Sequence, residues 1–303
     1  MVFVSRERLI LAAIQHNLGQ PLPLVLEPCR PNPCWLMPTP YPAETLLIEG
    51  TDAIAFAQAQ FSSQVNSLSS SQWQFSAWLD PQGRVRALFH LARLADDRLL
   101  LLLRGGSATA MVDALRRFMF RSKLTLTALS PRALTTGPAQ PMHAVHEDAE
   151  TLSLGCGTHS MRITNADQGD DAWRLPQLHA GWPWLPVQRL NELLPPALSL
   201  HRLQAVAIDK GCYPGQEIVA RLHYRGGNKR HLHGVILSQA ANAGEVLRRD
   251  ERDIGCLLNV ISNDNSIEAL ALLNDDVVAQ ANDGRLNAFD DHGSIRLVTT
   301  WPE

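Results

Sequence analysis

A chain of 303 residues with 45% apolar content has length for two or three domains and ample material for packed cores. It holds no run of about 18 apolar residues, and its opening MVFVSRERLILAAIQHNLGQ sets Arg6, Glu7 and Arg8 beside a short apolar stretch with no small-residue cleavage site, which argues against a membrane span or an export leader. Net charge is only −3, and five scattered cysteines (Cys29, Cys34, Cys156, Cys212, Cys256) make no disulfide framework, so a soluble protein of the reducing cytoplasm is expected.

In chain order, Ser5 to Leu18 carries an apolar face at helical spacing and stops at Gly19, which predicts a short helix. Eight prolines from Gln20 to Pro42 forbid a helix or a central strand and predict an extended arm. TLLIE at Thr45–Glu49 reads as a strand and Gly50 as a turn. Thr51 reads as the cap of a helix reaching about Gln64, with Ile54, Phe56, Ala57 and Phe61 toward a core. WQFSAWL, VRALFHLARL and RLLLLL are predicted strands, the first two joined by the turn Asp80-Pro81-Gln82-Gly83. Ser107 opens a helix, TAMVDALRRFMF, and the strand KLTLTAL closes an α+β unit. Residues 140–200 carry a weaker pattern, although WRLPQLHAGWPWLP combines three tryptophans with prolines in a way that ordinary surface loops do not. After His233 short strands recur about every ten residues (HGVIL, EVLRR, IGCLLNVIS, IEALALL, RLNAF, SIRLVTT) between Asn, Asp and Gly turns, the pattern of a small β-barrel or sandwich over 232–303.

Charge is unevenly spread. Residues 1–200 balance 16 bases with 16 acids, residues 201–233 set six bases against Asp209 and Glu217, and residues 234–303 set five bases against twelve acids. Two of the three lysines, Lys210 and Lys229, fall in the short basic stretch, with His201, His223, His231 and His233. An anionic partner accounts for this, and so does a solvated loop beside an acidic tail. Within the stretch, DKGCYPGQE (Asp209–Glu217) sets Cys212 between Gly211 and Gly215, with Pro214 fixing the turn, so a preorganised loop is expected. Lys210 and Arg221 would favour a thiolate and burial would oppose it, while an inert, small apolar side chain is the plain alternative. His231 and His233 share a strand face, but their spacing from His223 and Cys212 fits no zinc signature, and no four-cysteine set exists for an iron–sulfur cluster; no metal site is expected. Direct nucleic-acid binding through 201–233 is disfavoured, because this basic excess is modest and the terminal region is acidic.

The run KGCYPGQE, continuing VAR…YRGGNKR, resembles the signature of the YgfZ folate-binding proteins, relatives of the glycine-cleavage T-protein, an aminomethyltransferase. LLIEGTDAIAFAQAQFSSQVNSL, LDPQGRVRALFHLARL, LRRFMFRSKLTL, WRLPQLHAGWPWL and LLPPALSL resemble successive parts of the same family, so the likeness covers roughly 44–235. It implies an α+β fold: an aminomethyltransferase-like, folate-binding core of mixed sheets and helices around a central channel for tetrahydrofolate or a one-carbon derivative, plus a small C-terminal β-barrel. The expected boundaries are 1–43 for the helix and arm, 44–231 for the core (in two parts, about 44–135 and 136–231) and 232–303 for the barrel. The resemblance also implies that Trp173 contacts folate, and an indole suits stacking on a pterin. Ala43 stands where relatives carry a second aromatic, with Tyr41 close by, and His179 stands where they carry an acid. Gly211, Tyr213, Gly215, Gln216, Arg221 and Arg225 are the further ligand contacts expected from the matching loop, the arginines toward a glutamate tail or a partner's acidic surface.

In the T-protein an aspartate after a glycine pair in the hairpin serves aminomethyl transfer, whereas Gly83-Arg84-Val85-Arg86-Ala87-Leu88 has no carboxylate. An accessory folate-binding protein is therefore expected rather than an aminomethyltransferase. The implied work is iron–sulfur cluster assembly or repair in support of radical tRNA-modifying enzymes such as the methylthiotransferases. In that reading Cys212 is the redox or transfer thiol, Lys210 biases its ionisation, and Gln216 and Glu217 anchor the loop. The alternative is a folate-dependent one-carbon transferase of unknown acceptor, with Glu217 or Asp209 as general base.

Overall fold

The computed structural model describes residues 42–166, 168–289 and 293–301, all within a unit spanning 38–303. Tyr41, Cys29, Cys34, the expected N-terminal helix and nearly all of the proline arm lie outside the described residues.

After β1 (Pro42–Ala43) come β2 (Thr45–Glu49), α1 (Ala53–Gln60), β3 (Gln72–Leu79), β4 (Val85–Ala95), β5 (Arg98–Leu103), α2 (Ala108–Leu115) and β6 (Thr125–Ala128). Strands β2–β6 form one antiparallel sheet in the order β3-β4-β5-β2-β6. The β3–β4 turn lies where the sequence sets it: Gly83 N–H donates to Asp80 O at 2.9 Å, and Arg84 N–H donates to Asp80 Oδ1 at 2.8 Å. Side chains alternate across a strand, so along β5 Leu99, Leu101 and Leu103 pack with Phe56, Phe61, Met111 and Leu115 on the helical face, while Leu100 and Leu102 meet Trp73 and Phe75 on the other. RLLLLL is apolar throughout because both faces are covered, and each buried leucine contributes about 2 kcal/mol. Ser107 caps α2, its hydroxyl accepting from Ala110 N–H at 3.5 Å. Helix α1 differs from expectation. It begins after Asp52, not Thr51, and stops at Gln60, because Phe61 turns extended and bridges to Trp78, and Ser62 N–H donates to Ala77 O at 2.9 Å. Sheet pairing overrides helix propensity there.

Strands β7 (Arg132–Gly137), β8 (Val145–Glu147), β9 (Leu152–Gly155) and β10 (Ser160–Thr164) join β1 in a second antiparallel sheet, order β1-β7-β10-β9-β8. Most of these strands are too short to display a period, which is why this region reads weakly in the sequence. Two helices follow, α3 (Arg174–His179) and α4 (Gln216–Arg225). Helix α4 corrects the expectation of a loop continuing past Gln216. Val219 is buried while Glu217, Arg221 and Arg225, four residues apart, are exposed, so the segment is amphipathic at helical spacing.

The remaining elements are β11 (Arg230–Leu237), β12 (Val246–Arg249), β13 (Arg252–Ser262), β14 (Ile267–Asn274), α5 (Asp275–Val278), β15 (Arg285–Phe289) and β16 (Gly293–Thr300). Their strands form a six-stranded antiparallel sheet, order β12-β13-β14-β11-β16-β15. Its two faces serve different cores. Leu232, Cys256, Leu258, Leu270 and Leu272 join the central core with Trp73, Trp173 and Trp182, whereas Val235, Leu247, Leu257, Ala269, Ala271 and Leu273 pack on the far side. The whole is a mixed helix-and-sheet fold, and no helix among the described residues is long and apolar enough to cross a membrane.

Candidate functional site

Two tryptophans define a cleft of about 300 Å³ between the end of β5, the start of α3, the segment 184–187 and β13. Trp173 immediately precedes α3, is 2% exposed, and donates its indole N–H to Asp170 O at 2.9 Å. Trp184 lies beside it, ring centroids 5.0 Å apart and tilted by 39°, and only half-buried. Glu44, Arg174 and Asn259 supply polar groups to the lining. The backbone of Trp184 is fixed by its N–H donating to Asn259 Oδ1 at 2.9 Å, and Glu44 Oε2 accepts from Ala108 N–H at 2.9 Å at the start of α2. Gly105, at φ +112, permits the close approach behind the cleft: a Cβ there would stand 1.9 Å from Leu185 O.

A buried charge holds this wall from behind. Arg104 is fully buried, and it donates to Pro183 O at 2.8 Å, Trp182 O at 3.0 Å and Gln177 Oε1 at 2.8 Å. Its guanidinium also lies 4.9 Å from the centroid of the Trp184 ring. Burial lowers its pKa to about 9, so it remains charged at neutral pH. Its neighbours adapt: burial and then the Arg104 charge push His90 well below the usual histidine range, and the same causes lower His159. Burial raises the Cys156 thiol to about 12, which leaves it unreactive. The sequence analysis missed Arg104, Glu44 and Trp184; the signal for the last was present in WPW.

A wider depression of about 420 Å³ is lined by Leu47, Glu49, Leu94 and Arg132, but the Arg98–Glu147 ion pair lies in its lining and no aromatic side chain does. The tryptophan cleft, with flat apolar walls and a few convergent polar groups, is the stronger candidate for a ligand site.

The cysteine motif forms a separate place. Cys212 is exposed in a shallow depression lined by Pro81, Tyr213, Pro214, Gly215, Gln216 and Glu217, which shares no residue with the cleft. The motif is held by close contacts on several sides. Gly215 (φ +78) packs on the β3–β4 turn so closely that a Cβ would lie 2.5 Å from Asp80 O. Gln216 Nε2 donates to Ile208 O at 3.1 Å and Lys210 O at 3.0 Å, and Tyr213 Oη donates to Ala207 O at 2.9 Å. Lys210, expected beside the thiol, turns inward instead. It is 6% exposed, and its ammonium donates to the carbonyls of Phe61 and Ser63 and lies 4.9 Å from the Tyr213 ring centroid. Burial lowers its pKa to about 8 and raises that of Tyr213.

The predicted residues thus divide. Trp173 lies at the cleft; Gly211, Tyr213, Gly215, Gln216, Glu217, Arg221 and Arg225 lie in the Cys212 loop or on α4, outside the cleft lining. Asp209 and Glu217 are exposed on that side and line none of the cleft. His179 pairs with Glu268 at 2.6 Å. Among the described residues no group of three or more His, Cys, Asp or Glu stands ready to hold a metal; His231 pairs with Asp275 at 2.5 Å, and His233 is buried, its pKa lowered to about 4 by burial.

No protein-family model matches the chain. Among curated proteins, an uncharacterized protein of Haemophilus influenzae is 28% identical over 253 residues, covering 80% of this chain and 90% of its own. A tRNA-modifying protein YgfZ of Sodalis glossinidius is 25% identical over 298 residues (84% of this chain, 89% of its own), and one of Klebsiella pneumoniae is 24% identical over 290 (82% and 88%). Among solved structures, the glycine cleavage system aminomethyltransferase T from Bartonella henselae matches with a TM-score of 0.61 over 84% of this chain and 82% of that one. At 16% identity this likeness establishes a shared fold.

Proposed function

We propose that this chain, a member of the YgfZ family related to the glycine-cleavage T-protein, binds a reduced folate in the tryptophan cleft and serves tRNA modification in the cytoplasm. The observation that carries the reading is the pair of indoles at 5.0 Å beside Glu44 and Asn259. A pterin is a flat bicycle with a donor edge; the half-buried Trp184 ring suits its face, and the carboxylate and amide suit its edge. Arg174, held by Asp171 at 3.4 Å and by Val260 O at 2.8 Å, brings a fixed cation suited to a carboxylate of the glutamate tail. A reduced folate supplies a carrier for one-carbon units. Arg104 acts on the ligand only through Trp184, which it holds in place.

Cys212 has the second role, as the exposed thiol presented to iron–sulfur enzymes that modify tRNA, such as radical methylthiotransferases. Support comes from its exposure and from a loop fixed by Gly215, Gln216 and Tyr213. Because Lys210 is turned inward, the loop depends on that lysine for its shape.

Calorimetric titration of tetrahydrofolate tests the reading. Trp184→Ala is expected to weaken binding at least tenfold, consistent with a lost stacking contact of about 1–3 kcal/mol, as is the milder Trp173→Phe to a lesser degree. Cys212→Ser should bind within twofold of the parent and melt at the same temperature, yet fail to restore tRNA modification in cells lacking the protein. Absence of binding to the parent, or equal binding by both tryptophan variants, overturns the folate assignment; full rescue by the serine variant overturns the thiol role.

A further inference from the structure

We propose that the turn between α2 and β6 is a docking surface for base-exposing, single-stranded RNA. The segment Arg116-Arg117-Phe118-Met119-Phe120-Arg121-Ser122-Lys123 contains four bases and no acid. Phe118 is 38% exposed and Phe120 is 80% exposed, although burying either ring would contribute about 2 kcal/mol or more. Each carries a cation on its face: Arg117 lies 4.8 Å from the Phe118 ring centroid and Arg121 lies 5.0 Å from that of Phe120. From β4, Arg86 adds a further cation, lying 4.0 Å from the Trp78 ring centroid and near enough to Arg117 for that charge to depress its pKa, after burial. Three carboxylates border the group: Asp113 pairs with Arg116 at 2.9 Å, Asp80 faces Arg86, and Asp52 Oδ2 accepts from Lys123 N–H at 2.7 Å. Among the described residues Arg117, Arg121 and Lys123 have no ion-pair partner, and like charges are gathered rather than dispersed.

Exposed aromatic rings interleaved with arginines are the chemistry that single-stranded nucleic acid uses: bases stack on the rings and phosphates meet the cations. An apolar protein partner would cover the phenylalanines but leave the guanidinium groups unpaired, and an acidic one would use the cations but not the rings. The surface also runs toward the exposed thiol. Arg86 neighbours Asp80, the Asp80–Gly83 turn packs on Gly215, and Pro81 shares the depression of Cys212. RNA laid over the turn therefore extends to Cys212 without need of the basic stretch 201–233, the stretch that sequence reasoning weighed and disfavoured. The inference goes beyond the folate reading and stands on different residues.

Fluorescence anisotropy of a labelled, unmodified tRNA transcript, a short single-stranded RNA and its duplex, titrated with the full chain, tests it. The transcript and the single strand should bind and the duplex should bind less tightly. Four cations on phosphates give a salt slope of about −0.7 per contact, so affinity for the single strand should fall roughly 50-fold between about 50 and 200 mM NaCl. The double variant Phe118→Ala/Phe120→Ala should lose about 30-fold in affinity with the salt slope kept, whereas Arg117→Ala/Arg121→Ala should flatten the slope. All variants should bind tetrahydrofolate as the parent does, which separates failure here from failure of the cleft assignment. No RNA binding at the lowest salt, equal binding by the double phenylalanine variant, or equal affinity for duplex and single strand overturns the proposal.

Discussion

The tryptophan cleft and the Cys212 loop each rest on a buried cation, Arg104 and Lys210, but differ in what else holds them. Behind the cleft, one fully buried guanidinium satisfies three acceptors and stacks on an indole, so rigidity comes from side-chain charge in a dry core. Around Cys212 the support is the close backbone contact of Gly215 with the β3–β4 turn, together with side-chain donors that end on backbone carbonyls: the Gln216 amide, and the Lys210 ammonium on Phe61 and Ser63. The cleft gains a fixed wall for a flat ligand. The loop gains a thiol that stays at the surface while Lys210, Tyr213 and Gln216 around it are anchored inward. A position beside a cysteine in sequence does not make a lysine its electrostatic partner.

The sharpest way to break this comparison is Arg104→Met. It strands the Pro183 and Trp182 carbonyls and the Gln177 amide oxygen in the core, so a loss of about 3–5 kcal/mol is expected, with weaker folate binding as Trp184 loosens. Urea unfolding and calorimetry check both; a variant as stable as the parent shows that the charge is not the support. Next is Gly215→Ala, where a Cβ meets Asp80 O at 2.5 Å and φ is +78. About 2–3 kcal/mol of destabilisation is expected by the same unfolding measurement, but folate affinity should not change, since the loop lies outside the cleft. If folate binding fell as well, the two places would be coupled.

The smallest effect is a pH dependence. Burial holds Lys210 near a pKa of about 8, below its ordinary 10.5, so between these values the unfolded chain binds a proton that the native protein does not. Stability from this group is therefore complete above 10.5 and lost as pH falls to 8. Tyr213, raised by burial, acts oppositely above its ordinary range, so the clean window is pH 8 to 10. Unfolding free energy should rise by about 2 kcal/mol across it, and Lys210→Met should abolish the rise.

How far the sequence reveals this depends on where each determinant resides. Strands such as RLLLLL and VRALFHLARL, the Asp80–Gly83 turn and the Ser107 cap are local, and they are found where their residues place them. Trp173 and the cysteine motif were legible through a long family resemblance. Arg104 was not: at the end of a leucine run it looks like any base leaving a strand, and only the approach of segment 182–185 buries it. Lys210 and the exposed faces of Phe118 and Phe120 are hidden for the same reason, since whether a side chain turns in or out is decided by elements far along the chain. Helix α4 was obscured by the glycines that bracket it, which end a helix as readily as they shape a loop.

The C-terminal sheet has a final consequence. Since Leu232, Cys256, Leu258, Leu270 and Leu272 complete the central core while the residues alternating with them build another, this sheet is a party wall rather than an appendage. Neither side can melt without exposing apolar surface on the other. Among the described residues, loosening this sheet is therefore expected to disturb the core that backs the cleft as well.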